Sequence, residues 1–317
     1  MDCMRYSVIV PVYKNADSIP RLIQALTDMN TALENQLEVV FVVDGSPDDS
    51  FLLLKQALGS MRFSAQLLAH SRNFGSFPAI RTGLMAAKGD YFGVMAADLQ
   101  EPPELLISFF RSLSNDECDV AIGTRNARQD PLSSRMASSI FWGLYRRLVV
   151  HDMPKGGVDI FGCNKAFREQ LLQLNESRSS LIALIFWLGF RRKFIEYERQ
   201  TRLEGKSAWT FKKKLEYMMD SVFAFTDYPI RLLTRMGAMG SLISLFIGLM
   251  VIVAKLSGAI EVPGYAATMS VVLLLGTLNL LGIGLVGTYA WRAYENSKQR
   301  PLAIVCMKLD NKENPSV

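Results

Sequence analysis

The sequence predicts an α/β protein whose mainly parallel, helix-covered sheet is followed by interfacial helices and a two-helix transmembrane hairpin. Three observations predict it. Up to Arg125, near-continuous apolar runs of strand length alternate with helix-like segments, the pattern of strands buried on both faces. Two later runs, Met236–Ala254 and Val262–Trp291, contain no charged residue, and about 20 mostly apolar residues suffice to cross a bilayer. Cations flank these runs: Arg231 and Arg235 before, Arg292, Lys298 and Arg300 after, with Lys255 against Glu261 between them. By the positive-inside rule the N-terminal domain and the C-terminal tail both lie on the cytoplasmic side of the plasma membrane.

The elements follow in order. Tyr6–Pro11 is a β-branched strand, and Ile19–Met29 has helical apolar spacing. Leu37–Val43 reads as a buried strand ending at Asp44-Gly45-Ser46-Pro47, and Phe51–Leu58 as the next helix. Gln66–Ala69, Tyr91–Ala96 and Val120–Gly123 continue the strands; Phe77–Ala87 and Glu104–Leu113 are the helices between them. The expected organisation is a cytoplasmic α/β domain over 1–205, a juxtamembrane interfacial segment over 206–235, two membrane helices at about 236–256 and 266–291 within 236–291, and a cytoplasmic tail over 292–317. In the interfacial segment Trp209, Phe211, Tyr217, Phe223 and Phe225 accompany Lys212-Lys213-Lys214, a composition suited to anionic lipid. The small residues Gly237, Gly240, Ser241 and Ser244 permit close helix packing, including that of a homo-oligomer.

A net charge of +5 over 317 residues and a pI near 9.0 suit an anionic membrane surface or anionic substrates, with no nucleic-acid-binding module. Cys3, Cys118, Cys163 and Cys306 lack CxxC spacing and are read as reduced thiols, outside any zinc site or disulfide framework. The first apolar stretch, Ser7–Val12, has strand length, too short for a signal peptide. His70 and His151 stand alone and are read as neither ligands nor catalytic bases. In parallel α/β sheets ligands bind outside the carboxyl ends of the strands. Asp44, Asp98 and Arg125 all fall there, and their common placement marks one rim as the site.

Four segments carry a resemblance: Ser7-Val-Ile-Val-Pro-Val-Tyr-Lys-Asn15, Val43-Asp-Gly-Ser-Pro-Asp48, Arg72-Asn-Phe-Gly75 and Asp98-Leu-Gln-Glu-Pro-Pro-Glu104. Their order and spacing resemble family 2 glycosyltransferases. With Arg199–Ser207 and the two apolar runs, the chain is similar to the polyprenyl-phosphate glycosyltransferases, the group that holds dolichol-phosphate mannose synthases and bactoprenol glucosyltransferases. The resemblance implies a GT-A (nucleotide-diphospho-sugar transferase) fold and a UDP-sugar donor. Pro11, Tyr13 and Asn15 are then expected to line the nucleotide pocket with Arg72, Asn73 and Gly75, while Asp44 hydrogen-bonds the uracil or ribose. Asp98 and Gln100 match the positions for Mg²⁺ or Mn²⁺, and two side chains two apart on an extended stretch point to one side. Many relatives carry acidic residues where this chain has Val43 and Ala96, so metal and nucleotide-sugar are expected to bind together.

On the acceptor side, Arg125 and Arg135 match phosphate-contacting positions, and guanidinium forks suit phosphate oxygens. Arg199, Arg202, Lys206 and Ser207 are expected to form the loop that closes over the diphosphate or the acceptor phosphate. Asp159 matches the proposed catalytic carboxylate, as general base or as an orienting group; Asp98 shares the catalytic assignment through the metal. The implied reaction is inverting transfer of a sugar, glucose first, from UDP-sugar to undecaprenyl or another polyprenyl phosphate. Mannose, a modified aminoarabinose or a non-catalytic membrane scaffold are the alternatives. None of Trp142, Trp187, Trp209 or Trp291 follows an Arg, so the Gln-x-x-Arg-Trp signature of processive synthases is missing.

Overall fold

The computed structural model describes residues 5–125, 143, 145–147, 150, 152–154, 158, 160–176, 180–198, 219–257 and 264–311. Two compact units result: Met1–Tyr217 with Arg300–Val317, and Met218–Gln299. The first is an α/β unit built on one mixed, mostly parallel sheet. Its elements are β1 (Tyr6–Val12), α1 (Ile19–Ala32), β2 (Leu37–Val43), α2 (Ser50–Leu58), β3 (Ser64–His70), α3 (Ser76–Ala86), β4 (Tyr91–Val94), α4 (Pro103–Ser114), β5 (Val120–Arg125), β6 (Phe161–Asn164), α5 (Lys165–Gln173), α6 (Leu181–Trp187) and β7 (Arg192–Tyr197). In the second unit residues 219–225 are helical, followed by α7 (Tyr228–Leu256) and α8 (Tyr265–Ser297). A last strand, β8 (Val305–Asp310), belongs to the first unit.

The sheet order is β7-β5-β6-β4-β1-β2-β3-β8. Strands β4, β1, β2 and β3 run parallel, as do β5 and β7. β6 is antiparallel to both neighbours, and β8 is antiparallel to β3. Every residue of β2 is buried, because helices cover both faces. On one face Val8, Val10 and Val12 join Leu22 and Leu26 of α1, Leu54 of α2 and Leu106 and Phe109 of α4 in a single core. Burying a side chain of that size contributes about 1.5–3 kcal/mol. On the other face α3 lies so close to β1 that a Cβ on Gly83 would sit 2.3 Å from Ile9. Buried Arg81 of α3 donates to the Leu171 carbonyl at 2.8 Å and to Asn175 Oδ1 at 2.9 Å, fastening the end of α5.

The strands expected up to Arg125 are present, with shifted ends: the strand at Tyr91 stops at Val94, and that at Gln66 runs from Ser64 to His70. β6, β7 and β8 are additions. The segment after Arg300, expected as a tail, contributes β8 and closes the β3 edge, with Asn311 accepting from Ala65 N at 2.9 Å and donating to Phe63 O at 2.9 Å.

In the second unit, Leu242, Phe246, Leu280 and Ile283 each keep 65 to 70% of their surface exposed. Exposed apolar surface on this scale marks contact with lipid or another apolar partner. Leu274–Ser297, with mean hydropathy 1.4, is the one stretch among the described residues that is long and apolar enough to cross a membrane. The other expected span, about 236–256, falls within α7. The helical 219–225 segment meets the end of α8 through the Asp220–Arg292 ion pair at 2.5 Å and the Phe223–Tyr289 edge-to-face contact at 5.3 Å.

Candidate active site

β1 is flanked by β4 on one side and β2 on the other, so the strand order reverses there. The crevice at the carboxyl ends of β1 and β4 is the place where such sheets take ligands. Pro11 and Tyr13 stand at the end of β1, with Tyr13 exposed at the rim. Lys14 takes a left-handed φ of 56°, and its N–H donates to Ser46 Oγ at 2.8 Å. Asn15 Oδ1 accepts from Tyr13 N at 3.2 Å, folding the turn back on itself.

Asp48 organises this corner. Its carboxylate accepts from Ala16 N at 3.0 Å, Ser46 Oγ at 2.5 Å and Ser50 Oγ at 2.9 Å, lacing the loop after β1 to the loop after β2. Burial pushes the Asp48 carboxyl up, but the bonds from Ser46, Ser50 and two backbone N–H groups outweigh it and hold the group below the ordinary carboxylate range.

Asp44 is buried at the end of β2. Phe74 N donates to its Oδ1 at 2.8 Å and Gly75 N to its Oδ2 at 2.7 Å. His70 Nδ1 lies 2.8 Å from Oδ1, and His70 Nε2 lies 3.0 Å from Thr82 Oγ1 on α3. The Arg72, Asn73 and Gly75 loop is therefore tied to the end of β2, and the Arg72 guanidinium lies 4.0 Å over the Phe74 ring. Gly45, at φ 56°, permits the approach: a Cβ there would lie 2.3 Å from the Arg72 carbonyl carbon.

Asp98 and Gln100 follow β4, but on a turn. Leu99 has φ 54°, its N–H reaches Ala96 O at 3.3 Å, and Gln100 N lies 3.4 Å from Asp98 Oδ1. The extended geometry expected from the sequence gives way here, because a left-handed residue between the two breaks the strand alternation. As donors, one carboxylate and one amide oxygen suit a hard divalent cation. Among the described residues no group of three or more His, Cys, Asp or Glu could hold a metal, so the set fits an ion that draws its other ligands from a diphosphate and water. Arg125 ends β5 on the same rim.

The rim thus gathers Pro11, Tyr13, Asn15, Asp44, Arg72, Asn73, Gly75, Asp98, Gln100 and Arg125. Arg135, Asp159, Arg199, Arg202, Lys206 and Ser207 lie outside the described residues. His70, Thr82, Asp48 and Ser46 are site-shaping residues that sequence reasoning missed. For Asp48 a signal exists: Asp-Gly-Ser-Pro-Asp is rich in side chains that bond nearby backbone.

A family model described as glycosyl transferase family 2 matches residues 7–174. An uncharacterized glycosyltransferase of Synechocystis sp. is 30% identical over 94% of this chain and 94% of its own length. The bactoprenol glucosyl transferase of Shigella phage SfV is 27% identical over 95% of this chain and 98% of its own. The undecaprenyl-phosphate 4-deoxy-4-formamido-L-arabinose transferase of Klebsiella pneumoniae is 29% identical over 94% and 91%. The rim residues all lie within the matched segment, and the chain belongs to glycosyl transferase family 2 as a glycosyltransferase.

Proposed function

We propose that this protein transfers a sugar from a UDP-sugar to a polyprenyl phosphate at the cytoplasmic face of the plasma membrane. One observation carries the reading: relatives named for bactoprenol and undecaprenyl phosphate align over more than nine-tenths of this chain, through the apolar helices as well as the sheet. Glucose is the donor sugar that the bactoprenol relatives favour. The Klebsiella relative supports a second reading, a modified aminoarabinose, at comparable identity.

The topology of the chain supports a two-helix membrane hairpin. β8 pairs with β3, so the segment between Met218 and Gln299 leaves and re-enters one domain. A strand cannot pair across a bilayer, which requires an even number of crossings. α7 spans 29 residues, about 43 Å at 1.5 Å per residue, ample for a hydrocarbon core of about 30 Å. The flanking Arg and Lys residues favour the cytoplasmic side for both ends.

In the proposed reaction an acceptor phosphate oxygen attacks the anomeric carbon from the face opposite the nucleoside diphosphate. The carbon–oxygen bond to the diphosphate breaks, its electron pair leaves with UDP, and the configuration inverts. A phosphate monoester has a second pKa of about 6 and is already largely dianionic at neutral pH, so the acceptor needs orientation more than deprotonation. Arg125 and Arg135 are assigned to phosphate oxygens, and Arg199, Arg202, Lys206 and Ser207 to the loop over the diphosphate or the acceptor. Asp159 is assigned to orienting the acceptor or taking its proton. Asp98 and Gln100 are the residues to hold Mg²⁺ or Mn²⁺, which when bound supplies charge neutralisation for the departing diphosphate. Tyr13 and Asn15 line the nucleotide side.

The test is transfer of radiolabel from UDP-glucose and competing nucleotide-sugars to undecaprenyl phosphate by the purified full-length protein, with and without EDTA. The expected result is organic-phase product from one preferred donor, abolished by EDTA and restored by Mg²⁺ or Mn²⁺. Absence of lipid-soluble product with every donor would leave the scaffold alternative standing.

A further inference from the structure

We propose that His70 is a positioning residue for the donor nucleotide, acting through Asp44 on the Arg72–Gly75 loop. The inference rests on the nucleotide-sugar reading above and gives Asp44 a second job beside the base or ribose contact that the resemblance implies. A carboxylate offers about four acceptor sites, and Asp44 accepts three hydrogen bonds from its own chain, from Phe74 N, Gly75 N and His70. Asp44 keeps 3% of its surface exposed, and two of those bonds go to the loop.

That loop has neither helix nor strand from Ser71 to Gly75, so its tethers set its place. Asp44 holds it from the β2 side. From the β8 side Ser71 N donates to Ile304 O at 3.0 Å. His70 sits between these supports. Asp44 Oδ1 accepts from an N–H of Phe74, and an acceptor oxygen facing His70 makes Nδ1 the donor, while Nε2 pairs with the Thr82 hydroxyl. The ring therefore spans α3 and β2 and fixes the carboxylate in the orientation that both loop N–H groups need. It also packs edge-on against Phe74 at 5.6 Å, and the Arg72 guanidinium lies over the same Phe74 ring. A chain of contacts thus runs from His70 to Arg72, a residue assigned to the nucleotide-sugar pocket.

The test uses His70→Ala, His70→Asn and Thr82→Val in the full-length protein, with UDP as the probe. An Asn amide nitrogen can replace Nδ1 toward Asp44 but cannot reach Thr82. Two readouts are taken: UDP affinity by calorimetry, and hydrogen exchange of the Phe74 and Gly75 amides, with β1 amides as the fold control. His70→Ala is expected to weaken UDP about tenfold and speed exchange at Phe74 and Gly75 by a similar factor, the scale of one buried hydrogen bond. His70→Asn recovers most of both, and Thr82→Val falls between. The KM for the nucleotide-sugar rises while the KM for polyprenyl phosphate holds. Unchanged exchange at Phe74 and Gly75 in His70→Ala, or equal losses in His70→Ala and His70→Asn, would overturn the proposal. A wild-type protein that fails to bind UDP overturns the donor reading and the pocket role together, while protected Phe74 and Gly75 amides would still report the latch itself.

Discussion

The two ends of β2 carry one buried carboxylate each. At the amino end Glu38 accepts from Ser7 Oγ at 2.7 Å, Gln66 Nε2 at 2.8 Å and Lys88 N at 2.7 Å. At the carboxyl end Asp44 accepts from His70, Phe74 N and Gly75 N. Both satisfy three donors and both are buried, yet their partners differ in kind. Two partners of Glu38 lie on the flanking strands β1 and β3, so it binds sheet to sheet. Two partners of Asp44 are backbone groups of an irregular loop at the ligand-binding rim. The same chemistry serves the fold at one end and the pocket at the other.

Breaking the amino end has the largest expected effect on stability. Glu38→Ala leaves three donors, two of them in buried bonds, without their acceptor at about 1–3 kcal/mol each, so a loss on the order of 3–9 kcal/mol is expected in urea denaturation. UDP affinity of the molecules that remain folded is expected to hold. At the carboxyl end, Asp44→Ala is expected to cost less stability, about 1–3 kcal/mol, because the loop can reach water. Its loss appears in donor binding instead. Equal stability losses at the two ends, with equal effects on UDP, would erase the distinction.

Smaller changes sharpen it. Gly45→Ala places a Cβ 2.3 Å from the Arg72 carbonyl carbon at a residue with φ 56°; about 1–2 kcal/mol of left-handed strain, a displaced Arg72–Asn73 backbone and a weakened UDP site are expected, read by thermal melting and calorimetry. Asp48→Asn is the mildest, at about 1 kcal/mol near neutral pH. Because the Asp48 carboxyl is held below its ordinary value, its stabilisation is present above the unfolded pKa of about 3.9 and is lost as pH falls through the folded value. Denaturation curves of wild type and Asp48→Asn should therefore differ at pH 7 and begin to converge only as pH falls below about 4. A gap that widened on acidification would contradict the assignment.

Legibility followed burial. β1 and β2 read directly from the sequence because helices cover both faces and the strands became continuous apolar runs. β6 is only Phe-Gly-Cys-Asn, too short to show a period. β8 follows the apolar helices and pairs with β3, a partner no local pattern can reveal. In the site, Asp44 and Asp98 were visible as carboxylates after strands. His70 was not, because the residue that gives it meaning lies 26 positions away. Asp98 and Gln100 were expected on one extended side, and the left-handed Leu99 shows that strand alternation ends where the rim begins.

The most direct measurement compares lipid-linked product formed from a labelled UDP-sugar and undecaprenyl phosphate by wild type, Glu38→Gln and Asp44→Asn, each normalised to folded protein. The predicted result is product from wild type, near wild-type turnover per folded molecule in Glu38→Gln, and turnover in Asp44→Asn reduced with a raised KM for the donor. Wild type without lipid product, or the two variants impaired alike, would contradict the account.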